Sequence, residues 1–126
     1  MAYLIDTDVL IDVSKGKDAA MSYLDRLPED WFISVITAME VVVGARDKRE
    51  LGKIEEFLSA VPVVALSAGV GTIAFDLLKV YAKSHGLRVF DALIAAAAIE
   101  EGRTLVTRNR KHFQMIRELK LEIPTY

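Results

Sequence analysis

The chain has 126 residues, of which 52% are hydrophobic, with a formal net charge of -2 and no cysteine. That is enough apolar material for one buried core, it excludes disulfides, thiolate zinc sites and cysteine nucleophiles, and it carries no global basic field for nucleic acid. No stretch is apolar over the ~20 residues a bilayer span needs, and no charged leader precedes the first apolar run, so the expectation is one soluble cytoplasmic domain over residues 1–126.

Tyr3 to Asp6 reads as a short buried strand that stops abruptly at a carboxylate. Thr7 or Asp8 can cap the helix that follows through Ser14 and ends near Gly16. Asp18 to Leu27 has Ala20, Tyr23, Leu24 and Leu27 at helical spacing, and Pro28 closes it. Trp31 to Val35 is aromatic and β-branched, a second strand. Thr37 to Ala45 reads as a helix carrying Glu40. Lys48 to Ala60 is an amphipathic helix with Leu51, Ile54, Phe57 and Leu58 on one face. Pro62 to Leu66 is a third strand, and Pro62 suits an edge. Ala68 to Ser84 is a long helix ended by His85-Gly86. Asp91 to Glu101 is apolar nearly all round and therefore a buried helix. Thr104 to Thr107 is a fourth strand. Phe113 to Leu119 forms one or two helical turns, and Leu121 to Pro124 a short last strand. Strands alternating with helices predict a three-layer α/β/α fold with a mostly parallel central sheet of four to five strands.

The chemistry sits at strand ends. Asp6, Glu40, Asp91 and the Thr107/Asn109 pair all fall there or at the helix starts beside them. Each has a plainer explanation. Asp6 and Asp8 suit a helix N-terminus. Thr37 and Glu40 fit a capping box. Asp91 can cap the Ala-rich helix, and Asn109 can be a turn residue. Asp12 and Asp76 read as solvated helix faces and Glu100 as an exposed last turn. The conjunction argues otherwise. Carboxylates brought within about 4 Å repel by on the order of 4 kcal/mol per pair at an effective dielectric of roughly 20. Such a cluster needs protonation or a cation, and all-oxygen ligands suit Mg²⁺ or Mn²⁺.

Four stretches together resemble the PIN-domain ribonucleases, and among them the VapC-type toxins of toxin–antitoxin pairs. They are Leu4 to Ile11, Ser34 to Glu40, Phe90 to Ala98 and Leu105 to Phe113. The resemblance implies a PIN-like fold and a metal-dependent endoribonuclease using Mg²⁺ or Mn²⁺. It implies Asp6, Glu40 and Asp91 as metal-binding acids, with Thr107 and Asn109 completing the catalytic set. In many members a fourth acid stands where this chain has Asn109, which puts a second metal in question. It also implies a homodimer and a cognate antitoxin protein that blocks the groove; the apolar faces around Val41 to Val43 and Leu51 to Leu58 suit such contacts, with ordinary core packing as the plainer explanation. An acidic groove repels RNA, so nearby cations must hold the backbone. Arg46, Arg108, Arg110 and Lys111 are the first candidates, with Lys48, Arg49 and Arg88 also in reach, and His112 is a packing, phosphate or acid–base group.

Two alternatives belong to other classes. Asp6-Thr7-Asp8 resembles the opening of haloacid-dehalogenase-like phosphatases, where the first Asp is a nucleophile. An interaction module with an idle site is the non-enzyme alternative.

Overall fold

The computed structural model describes residues 2–126. Leu4 and Ile5 are adjacent, both fully buried, and pack into two different cores. They lie on strand β1 (Tyr3–Ile5), whose successive side chains point to opposite faces. A strand covered on both faces needs consecutive apolar residues, which is why the run is unbroken. Leu105 and Val106 on β4 (Thr104–Val106) repeat the arrangement one strand over. With β2 (Trp31–Ser34), β3 (Val63–Val64) and β5 (Leu121–Glu122) they form one five-stranded sheet in the order β3-β2-β1-β4-β5. Every paired neighbour runs parallel. β3 is the edge strand that Pro62 suggested. Pro62 has no N–H to offer, but its carbonyl accepts the Ile33 N–H at 2.9 Å.

One face is covered by α5 (Ala68–His85) and α6 (Val89–Glu100). Ala92, Ala95, Ala96 and Ala98 of α6 are wholly inaccessible, and their short side chains let the helix backbone approach its neighbours closely. The other face is covered by α1 (Thr7–Ser14), α2 (Asp18–Asp25) and α3 (Val35–Val43). α4 (Lys48–Leu58) is laid over them by Ile54, Phe57 and Leu58, which are only partly buried. α5 ends as expected: Gly86 takes the left-handed conformation at φ 71° and bonds back to Ala82.

Several element boundaries differ from expectation by a residue or more: α6 begins at Val89, not Asp91, and β3 is only Val63–Val64. α3 begins at Val35, not Thr37, because Ser34 is its cap: the Ser34 hydroxyl accepts the Ile36 N–H at 3.0 Å. The turn after β4 is α7 (Arg110–Phe113), earlier than Phe113 to Leu119, and it closes when Phe113 enters the core at 0% exposure. Among the described residues no helix is long and apolar enough to cross a membrane.

Candidate active site at the carboxyl edge of the sheet

The strand order reverses at β1, with β2 and β3 to one side and β4 and β5 to the other. In a parallel sheet such a reversal leaves a crevice outside the carboxyl ends of the strands. Asp6 follows β1 into this crevice and Thr107 follows β4.

Asp6 is 5% exposed. Its Oδ1 accepts the Thr7 N–H at 2.8 Å, so Asp6 itself caps α1. Its Oδ2 accepts the Thr107 hydroxyl at 2.7 Å. Among the described residues no lysine or arginine forms an ion pair with it. Burial and the charge of Asp8 push its carboxyl up to about 7, against the two hydrogen bonds, and the charge of Asp91 adds to the rise.

Glu40 and Thr37 are three apart on α3 and share a face. That face meets Thr7, whose hydroxyl donates to Glu40 Oε1 at 2.6 Å and lies 3.1 Å from Thr37 Oγ1. The capping-box expectation therefore fails: Thr37 lies inside the helix that Ser34 caps, and Glu40 turns to another element.

Asp91 stands in the first turn of α6 and does not cap it, since the cap position is Arg88. Its Oδ2 is 3.2 Å from Nδ1 of His112 on α7. Burial raises its carboxyl; His112 opposes the rise, Glu40 adds to it and Arg88 opposes it. Thr107 is wholly buried and also accepts the Asn109 N–H at 3.0 Å. Asp8 Oδ2 accepts the Arg108 N–H at 3.0 Å, which ties the same turn to α1. Asn109 itself is the exposed cap residue of α7.

The fold thus brings Asp6, Asp91 and Glu40 to one edge, where Asp91 feels the charge of both other acids. Among the described residues, no three Asp, Glu or His side chains stand together as a ready ligand set. Glu40 is turned to Thr7 and Asp91 to His112. The donor chemistry nonetheless fits a divalent cation: oxygen ligands only, and a buried carboxylate with no basic partner.

The basic candidates separate. Arg108 Nη1 bonds Asp12 Oδ2 at 2.9 Å, and the Tyr126 hydroxyl donates to the same oxygen at 2.7 Å. Asp12 is thus no free solvated face. Burial pushes its carboxyl up, but the bonds from Tyr126 and Arg108 outweigh it and hold the group below its ordinary value. Arg46 Nε pairs with Glu50 at 2.9 Å and, with Glu40, lines a groove of about 590 Å³ that also includes Ile11, Lys53 and Phe57. Arg110 and Lys111 are exposed on α7. Asp76 is solvated as expected and pairs loosely with Lys79 at 3.3 Å. Glu100 is exposed but accepts the Ser67 hydroxyl at 2.5 Å. Of the expected contact surface, Val41 is core, whereas Val43 is 82% exposed.

Sequence reasoning missed Thr7, whose hydroxyl joins α1 to α3. Its only local signal was a position between two aspartates, which capping explains equally well.

Residues 3–119 match the PIN domain family. This chain is a PIN-domain protein. Ribonuclease VapC19 of Mycobacterium tuberculosis is 35% identical over 121 residues, which span 93% of this chain and 96% of that protein. The tRNA(fMet)-specific endonuclease VapC of Shigella flexneri is 28% identical over 128 residues, 97% of each chain. The crystal structure of VapBC2 from Rickettsia felis bound to a DNA fragment from their promoter contains a chain that superposes with a TM-score of 0.83 at 30% identity, covering 98% of both. The chain thus belongs with the VapC ribonucleases, and the phosphatase alternative is set aside. The PIN fold expected from the sequence, with its parallel sheet and flanking helices, is the fold observed.

Proposed function

We propose that this PIN domain, residues 1–126 acting as one unit, is a metal-dependent endoribonuclease and the toxin of a toxin–antitoxin pair. The observation that carries the reading is Asp6: a carboxylate 5% exposed, at the reversal point of a parallel sheet, without a basic partner and under the field of Asp8 and Asp91. Burying such a group costs several kcal/mol unless something neutralises it.

Asp6, Asp91 and Glu40 would hold Mg²⁺ or Mn²⁺, whose contribution there is Lewis acidity toward water and phosphate. The chain's own residues do the positioning. Thr107 holds Asp6 in place, Thr7 holds Glu40, and the turn at Asn109 closes the edge beside them. The substrate is RNA. The partner is a cognate antitoxin protein, a reading supported by the likeness to a chain of a toxin–antitoxin complex from Klebsiella pneumoniae, and the active form is a homodimer. A cysteine-free chain suits the reducing cytoplasm in which such a pair would work.

The test is cleavage of end-labelled structured RNAs with Mg²⁺, Mn²⁺ or EDTA, beside an Asp6→Asn variant purified identically. Metal-dependent cutting absent from the variant supports the reading. Equal cutting by both proteins would assign the activity to a contaminant. Metal binding without cutting of any RNA would leave an interaction module instead.

A further inference from the structure

The groove carries at least three acids and the whole chain a formal net charge of -2, so an RNA strand gains nothing from the global field. Its backbone must be held by local cations that are not already neutralised. Arg46 and Arg108 do not qualify, because Glu50 and Asp12 hold them at 2.9 Å. Among the described residues Arg88 and Lys111 make no ion pair.

These two cations meet at one place. A cavity of about 60 Å³ opens beside Asp91, lined by His85, Leu87, Arg88, Lys111 and His112. The lining comes from two separate parts of the chain. His85 and Arg88 flank the turn between α5 and α6, which reverses through the left-handed Gly86, and Lys111 and His112 belong to α7. Asp91 is the one acid on its wall; its Oδ2 lies 3.2 Å from His112 Nδ1, and the charge of Arg88 also acts on it without forming an ion pair. The space admits a tetrahedral anion. It adjoins one of the three acids of the proposed active site.

We infer that this pocket binds a phosphodiester of the RNA strand next to the one cleaved, through Arg88 and Lys111. The inference rests on the ribonuclease reading and sets the path of the strand: over the α6–α7 side of the edge, not over the Arg46 side. Two phosphate contacts contribute a defined share of the salt dependence of binding, about 0.7 in slope each for single-stranded RNA.

The experiment uses fluorescein-labelled hairpin RNAs that the wild-type protein cleaves, with binding measured in EDTA by anisotropy over a KCl series. Arg88→Ala/Lys111→Ala is compared with Arg26→Ala/Lys79→Ala, which removes the same charge elsewhere. The pocket variant is expected to bind roughly tenfold more weakly and to lose about 1.4 from the slope of log K against log salt, while the control keeps the wild-type slope. Arg88→Lys/Lys111→Arg retains both charges and is expected to keep the slope, which separates charge from misfolding. An unchanged slope in the pocket variant, or an equal loss in the control, overturns the inference while wild-type cleavage still stands. Loss of inorganic phosphate binding with the RNA slope intact would make the pocket a free-phosphate site and overturn it too. A wild-type protein that cleaves none of the hairpins removes the ribonuclease reading and this inference with it.

Discussion

Thr107 and Asp6 are 101 positions apart in the chain and joined by a buried hydrogen bond of 2.7 Å. β1 and β4 are parallel neighbours with Ile5 opposite Val106, so the residues one step beyond each strand lie side by side. The same Thr107 oxygen accepts the Asn109 N–H at 3.0 Å. One hydroxyl therefore positions the central acid and the turn that closes the edge. Thr107→Val keeps the shape and removes both bonds. We expect it to destabilise the fold by about 1–3 kcal/mol, the cost of leaving buried polar groups unpaired, and to lower the cleavage rate, while Thr107→Ser restores both. Urea denaturation and single-turnover cleavage are the measurements. Wild-type values for Thr107→Val would remove this residue from the site's support.

Asp6 makes the metal-free protein sensitive to pH. Its carboxyl moves from 3.8 in the unfolded chain to about 7 in the folded one. The folded state binds the proton more tightly, so the associated stability is fully present below 3.8 and is lost as the pH rises through about 7. The whole difference is on the order of 4 kcal/mol. Asp6→Asn cannot ionise and escapes the loss. In EDTA the variant is expected to be more stable than wild type at pH 8 and nearly equal to it at low pH. Denaturation midpoints at several pH values would show this. A constant offset between the two proteins across the range would contradict the assignment to Asp6.

A divalent cation relieves the same charge. Mg²⁺ or Mn²⁺ at about one hundred times its dissociation constant should stabilise the wild type by about 2.7 kcal/mol. The effect should grow from pH 6 to pH 8, as Asp6 loses its proton, and should be absent in Asp6→Asn and weakened in Asp91→Asn. Thermal midpoints with and without EDTA report it without reference to catalysis. An equal shift in wild type and Asp6→Asn would move the cation elsewhere.

α6 buries Ile94 beside its run of alanines, and at the alanine positions the core leaves room only for a methyl group. Ala96 is wholly inaccessible between the sheet and the rest of the core. Ala96→Leu should cost about 1–3 kcal/mol through overpacking. A lowered urea midpoint with an unchanged slope is the expected result. A variant as stable as wild type would mean that α6 can move away from its neighbours.

Element types were legible because they depend on local periodicity. The unbroken apolar pairs Leu4-Ile5 and Leu105-Val106 announced strands covered on both faces, and the alanines of Ala92 to Ala98 announced a buried helix. Asp6, Glu40 and Asp91 stood out for the same reason: each interrupts an apolar run beside a strand end or helix start. Their partners were not legible. Thr37 and Glu40 satisfy the capping-box pattern, yet Ser34 captures the helix start, and Thr7, 30 positions from Thr37, meets that face. Arg108 stood out only as a cation beside the site, and its bond to Asp12, 96 positions away, had no local signal. Periodicity determines what each segment is; which strand ends become neighbours follows from the order β3-β2-β1-β4-β5, and that order decides which acid receives a hydroxyl, which meets an imidazole and which cations are drawn into ion pairs.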